Sequence, residues 1–296
     1  MKRVKRDGLR VLFAGMLAML LASMALSAPA QANGGAHASI FGGSSAASEE
    51  WPWAAFILAL DRQGEGFSCT GTVVAPTLVL TAGHCVEDIL TGERTPASRY
   101  AVVTGSRDVR DSSLRQVSKV LRAIPYPGFN RFKLHGDAGL LELATPTSAP
   151  PLALATEADL PLLEAGMPTW IAGWGLNDHG AKPRQSPVLR RAATYVQRRT
   201  YCRNHGRAYY PFFNASLQLC TTTPPGFSIG TCHGDSGGPA LGYRSDGTPV
   251  QIGITSLGPA DCDTTLPDVF TRVDLVSTWV NEWIAAIAAG TPPPGA

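Results

Sequence analysis

Charge is scarce in this chain. Only 16% of its 296 residues are Asp, Glu, Lys or Arg, against roughly a quarter in an ordinary soluble domain. That scarcity argues against a disordered polyelectrolyte and a coiled coil. No basic run and no RNA-binding aromatic motif occurs, so nucleic acid is not an expected partner. No Cys-x-x-Cys and no His-x-x-x-His occurs, so the common zinc patterns are missing. After Leu26 no apolar run is long enough to span a bilayer. Turn formers are plentiful instead: 31 Gly and 23 Pro beside a 44% hydrophobic share. The composition predicts a turn-rich, globular, mostly β protein with enough chain for a full core.

The net charge of +2 resides at the N-terminus. Lys2, Arg3, Lys5, Arg6 and Arg10 precede an apolar run from Val11 to Leu26, and small residues around Ala28, Ala30 and Ala32 follow. Basic region, apolar region and small-x-small site are the three parts of a secretory signal. The run is shorter than the roughly 20 residues a membrane anchor needs. Residues 1–32 are therefore read as a cleaved signal peptide, leaving a secreted protein without a membrane partner. Six cysteines suit that compartment: Cys69, Cys85, Cys202, Cys220, Cys232 and Cys262. An even count reads as disulfides, and six cysteines allow fifteen pairings.

Short apolar runs recur between turn signals: 55–60, 72–74, 78–81, 100–104, 116–124 and 139–143. After a Pro-rich break near 145–165 a second set follows: 169–172, 188–197, 240–243, 251–256 and 269–273. Regular short strands predict a sandwich or barrel, and the break predicts two halves. One helix is expected, Asp274 to Ala288, where Leu275, Val276, Trp279, Val280, Trp283, Ile284 and Ile287 recur at three- and four-residue steps. Residues 289–296 are expected to be a disordered tail.

Three strings carry chemistry. Gly234-Asp235-Ser236-Gly237-Gly238-Pro239 sets a serine on a glycine-rich backbone that can approach a substrate closely. Thr81-Ala82-Gly83-His84-Cys85 ends an apolar strand with a histidine. Gly136-Asp137-Ala138-Gly139 sets an acid before another apolar strand. Each alone also reads as a turn, cap or structural residue. The order His, Asp, Ser gives the combination its meaning.

With these motifs the chain resembles the chymotrypsin-like serine peptidases, in particular the trypsin-like branch, from Ile40 to about Ala288. Trp51-Pro52-Trp53 and Ala172-Gly173-Trp174-Gly175 fit the same pattern. The resemblance implies an all-β fold of two six-stranded antiparallel barrels packed together, with a C-terminal helix. It implies Ser236 as nucleophile, His84 as base and then acid, and Asp137 as the residue that orients the imidazole. The N–H groups of Gly234 and Ser236 would form an oxyanion hole. The implied disulfides are Cys69–Cys85, Cys202–Cys220 and Cys232–Cys262. The domain would span 40–288, after a short propeptide at 33–39. The new α-amine of Ile40 would pair with Asp235, after a cut by another peptidase because Ser39 precedes the bond.

The chain departs from the family in its primary pocket. Gly230 stands where trypsin-like members carry an aspartate, and Asp268 stands on the opposite wall where the family has glycine. Gly230 is expected to leave room for a large side chain, and Gly258 to keep the mouth open. A carboxylate at Asp268 wants a cationic partner, so cleavage after Arg or Lys is expected. Chymotrypsin-like or broad specificity is the alternative, as is a catalytically silent binding protein of this fold. Thr231 and His233 are placed at the pocket, His233 on its rim. Ser256, Leu257 and Gly258 are expected to pair with extended substrate backbone, with Leu257 where the family usually has tryptophan. Expected partners are protein or peptide substrates and an activating peptidase. The enzyme is expected to be a monomer with no cofactor and no metal. Asn214-Ala215-Ser216 is a glycosylation sequon.

Overall fold

The structure is a computed structural model that describes residues 40, 42–47, 49–61, 64–176, 184–207, 209–223 and 229–294. The expected signal peptide and propeptide, residues 1–32 and 33–39, lie outside the described residues. The strands in chain order are β1 (Ser44–Ser45), β2 (Ala54–Leu60), β3 (Gly66–Ala75), β4 (Leu78–Thr81), β5 (Tyr100–Thr104), β6 (Gln116–Pro125) and β7 (Gly139–Leu143). They continue as β8 (Ala153–Leu154), β9 (Pro168–Gly173), β10 (Arg190–Val196), β11 (Gln218–Thr222), β12 (Pro239–Tyr243), β13 (Pro249–Leu257) and β14 (Asp268–Arg272). Among the described residues two α-helices accompany them, α1 (Arg199–Gly206) and α2 (Ser277–Ala289).

The strands close into two antiparallel barrels of six. The first runs β2-β3-β4-β7-β6-β5 and closes by the β2–β5 pairing. The second runs β9-β10-β11-β14-β13-β12 and closes by β12–β9. β1 adds to β10, and β8 pairs parallel with β13. Full closure leaves few unpaired strand edges. This is the all-β, two-barrel architecture that the resemblance implies.

The sequence explains most strands. β7 reads Gly-Leu-Leu-Glu-Leu and is buried throughout. In β6 the apolar Val120 is buried between exposed Lys119 and Leu121, the alternation of a half-buried strand. β3 is longer than the apolar kernel 72–74, and Thr70, outside that kernel, is buried at 0% exposure on the barrel wall. Polar residues hide such a strand from a hydrophobicity reading.

α1 was not expected. Its sequence, Arg-Thr-Tyr-Cys-Arg-Asn-His-Gly, buries only Cys202 and Gly206, too little for a visible apolar stripe. The disulfide to Cys220 ties it to β11. The expected C-terminal helix begins later than Asp274, since Val273–Leu275 form a 3-10 turn first. α2 buries Trp279, Val280 and Trp283, each contributing about 1.5–3 kcal/mol. Trp279 meets Tyr126 edge-on at 5.2 Å, and Arg122 lies over Trp283. The helix that follows the second barrel thus packs on residues of the first. Gly290 closes it in the left-handed conformation, φ 65°.

Candidate active site

The strand register brings two of the three motif residues together. β4 and β7 are antiparallel, with Thr81 opposite Gly139. His84 follows β4 on a 3-10 turn, Gly83–Cys85, and Asp137 lies two residues before β7. Both emerge at one end of the first barrel. His84 Nδ1 lies 2.8 Å from Asp137 Oδ2, and the His84 N–H donates to Asp137 Oδ1 at 2.9 Å. The same carboxylate accepts a 2.6 Å hydrogen bond from the Ser256 hydroxyl on β13. Asp137 is fully buried. Burial alone would lower the basicity of His84, but the Asp137 charge and hydrogen bond outweigh it and raise the imidazole above the usual histidine range.

Ser236 comes from the second barrel, in the turn that leads into β12. Its carbonyl accepts from the Thr70 N–H at 2.8 Å. The Thr70 hydroxyl in turn donates to the Gly234 carbonyl at 3.0 Å. These two bonds cross between the barrels and hold the Ser236 turn against β3. Gly237 sits at φ 80°, and a Cβ there would lie 2.0 Å from Thr81 Oγ1. Only glycine lets the serine turn approach β4 this closely.

His84 and Ser236 line one cleft of about 250 Å³. The Ser236 hydroxyl makes no hydrogen bond among the described residues. The neighbouring backbone is divided. The N–H groups of Asp235, Gly237 and Gly238 all bond within the protein. Those of Gly234 and Ser236 donate to no group among the described residues.

The cleft also contains Thr231, His233, Ser256, Leu257 and Gly258. His233 is exposed, and its Nε2 lies 2.8 Å from the Ala260 carbonyl. Ile89 and Leu134 also line the cleft. Neither was legible in the sequence, because both lie in surface loops without a pattern.

Asp268 lies behind the cleft, at the start of β14. It is buried, with Oδ2 accepting from the Thr231 N–H at 2.9 Å and Oδ1 from the Thr231 hydroxyl at 2.8 Å. Its carboxyl reaches the space next to both pocket glycines. A Cβ on Gly230 would lie 3.3 Å from Oδ2, and one on Gly258 would lie 2.9 Å from Oδ1. Gly230 and Gly258 therefore make room for the Asp268 carboxylate itself. Burial pushes this carboxyl up to about 7, against the two Thr231 hydrogen bonds, which lower it.

Asp235 is a second buried carboxylate. It accepts from the Gly175 N–H at 2.8 Å and the Cys232 N–H at 2.9 Å. A Cβ on Gly173 or Gly175 would fall within 2.5 Å of its oxygens. Burial pushes it up to about 7, more than the two hydrogen bonds offset. Ile40 is fully buried.

The disulfides join Cys69 to Cys85, Cys202 to Cys220 and Cys232 to Cys262. The first anchors the His84 turn to β3, and the third braces the loop before Ser236. Among the described residues, Cys69, His84 and Cys85 are the one group close enough to hold a metal ion. Their sulfurs are already consumed by a disulfide.

A family profile described as Trypsin matches residues 40–280. The chain belongs to the trypsin family. "Serine protease 56" of Homo sapiens is 32% identical over 264 residues, covering 87% of this chain and 40% of that protein. "Suppressor of tumorigenicity 14 protein homolog" of Bos taurus is 28% identical over 83% of this chain and 28% of its own length. "Transmembrane protease serine 9" of Rattus norvegicus is 32% identical over 84% of this chain and 22% of its own length. The chain spans less than half the length of these relatives. Among its described residues no helix is long and apolar enough to cross a membrane.

Proposed function

We propose that this trypsin-family chain is a serine endopeptidase that uses Ser236, His84 and Asp137. The observation that carries the reading is the His84–Asp137 pair sharing one cleft with Ser236, beside two N–H groups that donate to no group among the described residues. Asp137 Oδ2 accepts from Nδ1, so the mobile proton sits on that nitrogen and the Nε2 lone pair is free. Nε2 takes the Ser236 proton as Oγ attacks the scissile carbonyl carbon. The oxyanion that forms is received by the N–H groups of Gly234 and Ser236. His84 then gives its proton to the departing amine, leaving an acyl-serine, and a water activated by the same imidazole hydrolyses it. Hydrogen bonds of this kind are often open in a free enzyme and tighten on substrate.

The primary preference in this reading is Arg or Lys, paired with Asp268. A second reading is favoured by Thr231: Asp268 already has two donors and a raised pKa, so a neutral Asp268 would leave a pocket that accepts large apolar side chains. Activation would come from a cut after Ser39 by another peptidase. The new Ile40 amine would supply the cation that buried Asp235 lacks. The enzyme would be made with an N-terminal signal peptide and secreted, and would act as a monomer.

The test is a peptide-library cleavage profile of protein that begins at Ile40, with Ser236→Ala as control. Ser236-dependent cuts after Arg and Lys support the whole reading. Cuts after Phe, Tyr or Leu keep the peptidase and remove the basic pocket. If there is no cutting and no labelling by a serine-directed reagent, the chain is a silent binding protein.

A further inference from the structure

The cleft wall at Leu134 has a second side. Leu134 lines the active-site cleft, while its neighbours Lys133 and His135 line a separate hollow of about 370 Å³. Consecutive Cα atoms lie about 3.8 Å apart, so the hollow begins one residue from the cleft. Arg199 and Arg203, one turn apart on α1, also line it. No Asp or Glu lines the hollow. Among the described residues Lys133, Arg199 and Arg203 form no ion pair.

The shared loop is held in place. The Tyr210 hydroxyl donates to the Lys133 carbonyl, and Gln218 Nε2 donates to the Leu134 carbonyl at 3.2 Å. His135 Nε2 lies 2.8 Å from the Phe212 carbonyl. Leu134 itself is at φ 44°, a conformation that persists only where surroundings enforce it. The hollow also has a direction. Leu257, at the end of the strand proposed to pair with substrate, shares an apolar cluster with Phe213, and Phe213 lines the hollow. A substrate chain running past Leu257 and Leu134, away from the cut bond on its N-terminal side, arrives there.

Resting on the endopeptidase reading, we infer that this hollow selects substrates with acidic side chains several residues before the cut bond. Clustered cations with no counter-charge among the described residues repel one another and are relieved by a carboxylate. Charge complementarity of this kind sets specificity and encounter rate.

The experiment uses the Ser236→Ala chain beginning at Ile40 and two fluorescent peptides. The peptides differ only in Asp and Glu, or Asn and Gln, at about four to six residues before an Arg. The acidic peptide should bind roughly tenfold more tightly at low salt, and added salt should narrow the gap. Arg199→Glu with Arg203→Glu, and separately Lys133→Glu, should remove the preference. Equal binding of the two peptides, or a preference that survives both variants, overturns the proposal. So does a sulfated polysaccharide that binds through these residues while the peptides show no difference. The same peptides are then given to the chain with Ser236 intact. A binding preference without any cleavage keeps the hollow and sinks the endopeptidase reading. Cleavage of both peptides at equal kcat/KM does the reverse.

Discussion

Thr231 holds Asp268 with both of its donors, the backbone N–H and the hydroxyl. The carboxylate is thereby fixed in place, yet burial still pushes it up to about 7. A carboxylate is charged above its pKa, and only the charged form favours a cation. Preference for Arg over Phe should therefore grow as pH rises through about 7 and shrink below it. Asp268→Ser should lower kcat/KM on Arg peptides by about 100-fold, the loss expected for a charged hydrogen bond in a buried site. Paired Arg and Phe peptides assayed from pH 5.5 to 8.5 check both statements. A ratio flat with pH and unmoved by Asp268→Ser would remove Asp268 from the pocket.

The raised His84 pKa makes a separate prediction. The base works only when neutral, so the acid limb of kcat/KM should lie above the ordinary histidine value of 6.5. Asp137→Asn should shift that limb downward and cut kcat by roughly four orders of magnitude, the scale familiar for triads of this type. Ser256→Ala should leave the limb above 6.5, because Asp137 keeps both its charge and its hydrogen bond to His84. A pH–rate series on the three proteins reads the outcome, and an unmoved limb in Asp137→Asn would contradict it.

Asp235 links activation to stability. In the unfolded chain its carboxyl titrates near 3.8, and in the folded chain near 7. Between these values the folded state holds a proton that the unfolded state has released. Stability is thus fully present below about pH 4 and is lost as pH rises through 7, by a few kcal/mol in order of magnitude. Pairing with the Ile40 amine would lower the folded pKa and shrink that loss. Protein that begins at Ile40 should therefore lose less Tm between pH 4.5 and 7 than protein that retains Ser39. Asp235→Asn should flatten the profile of the Ser39-containing form. Equal slopes in both forms would mean that Ile40 does not reach Asp235.

The sequence made some of this visible and hid the rest for physical reasons. β7 is buried on both faces, so its apolar run announces it. β11 and α1 do not announce themselves, because a short strand such as Gln-Leu-Cys-Thr-Thr and a mostly polar helix satisfy no periodic template. The three chemical motifs are local strings and stand out as such. Contacts between distant residues leave no such trace. Ser256 was expected only as substrate-pairing backbone, and its hydroxyl instead reaches Asp137, 119 residues away. Gly230 and Asp268 looked like an emptied wall facing a filled one. Folding puts the carboxylate beside the glycine, so the two form one arrangement. The basic hollow was invisible because Lys133 lies in a loop and Arg199 on α1, two segments that only the fold brings together.

Every disulfide stays on its own side of the molecule. Cys69–Cys85 lies within the first barrel, and the other two lie within the second and its loops. The polypeptide passes from β1, on the second barrel, into the first through residues 46–53 and crosses back through residues 144–167, and the cleft is otherwise assembled by Thr70, Ser256, α2 and their like. A nick in that crossing would turn one enzyme into a heterodimer of two fragments. Its activity would then depend on protein concentration, and dilution alone would separate His84 and Asp137 from Ser236.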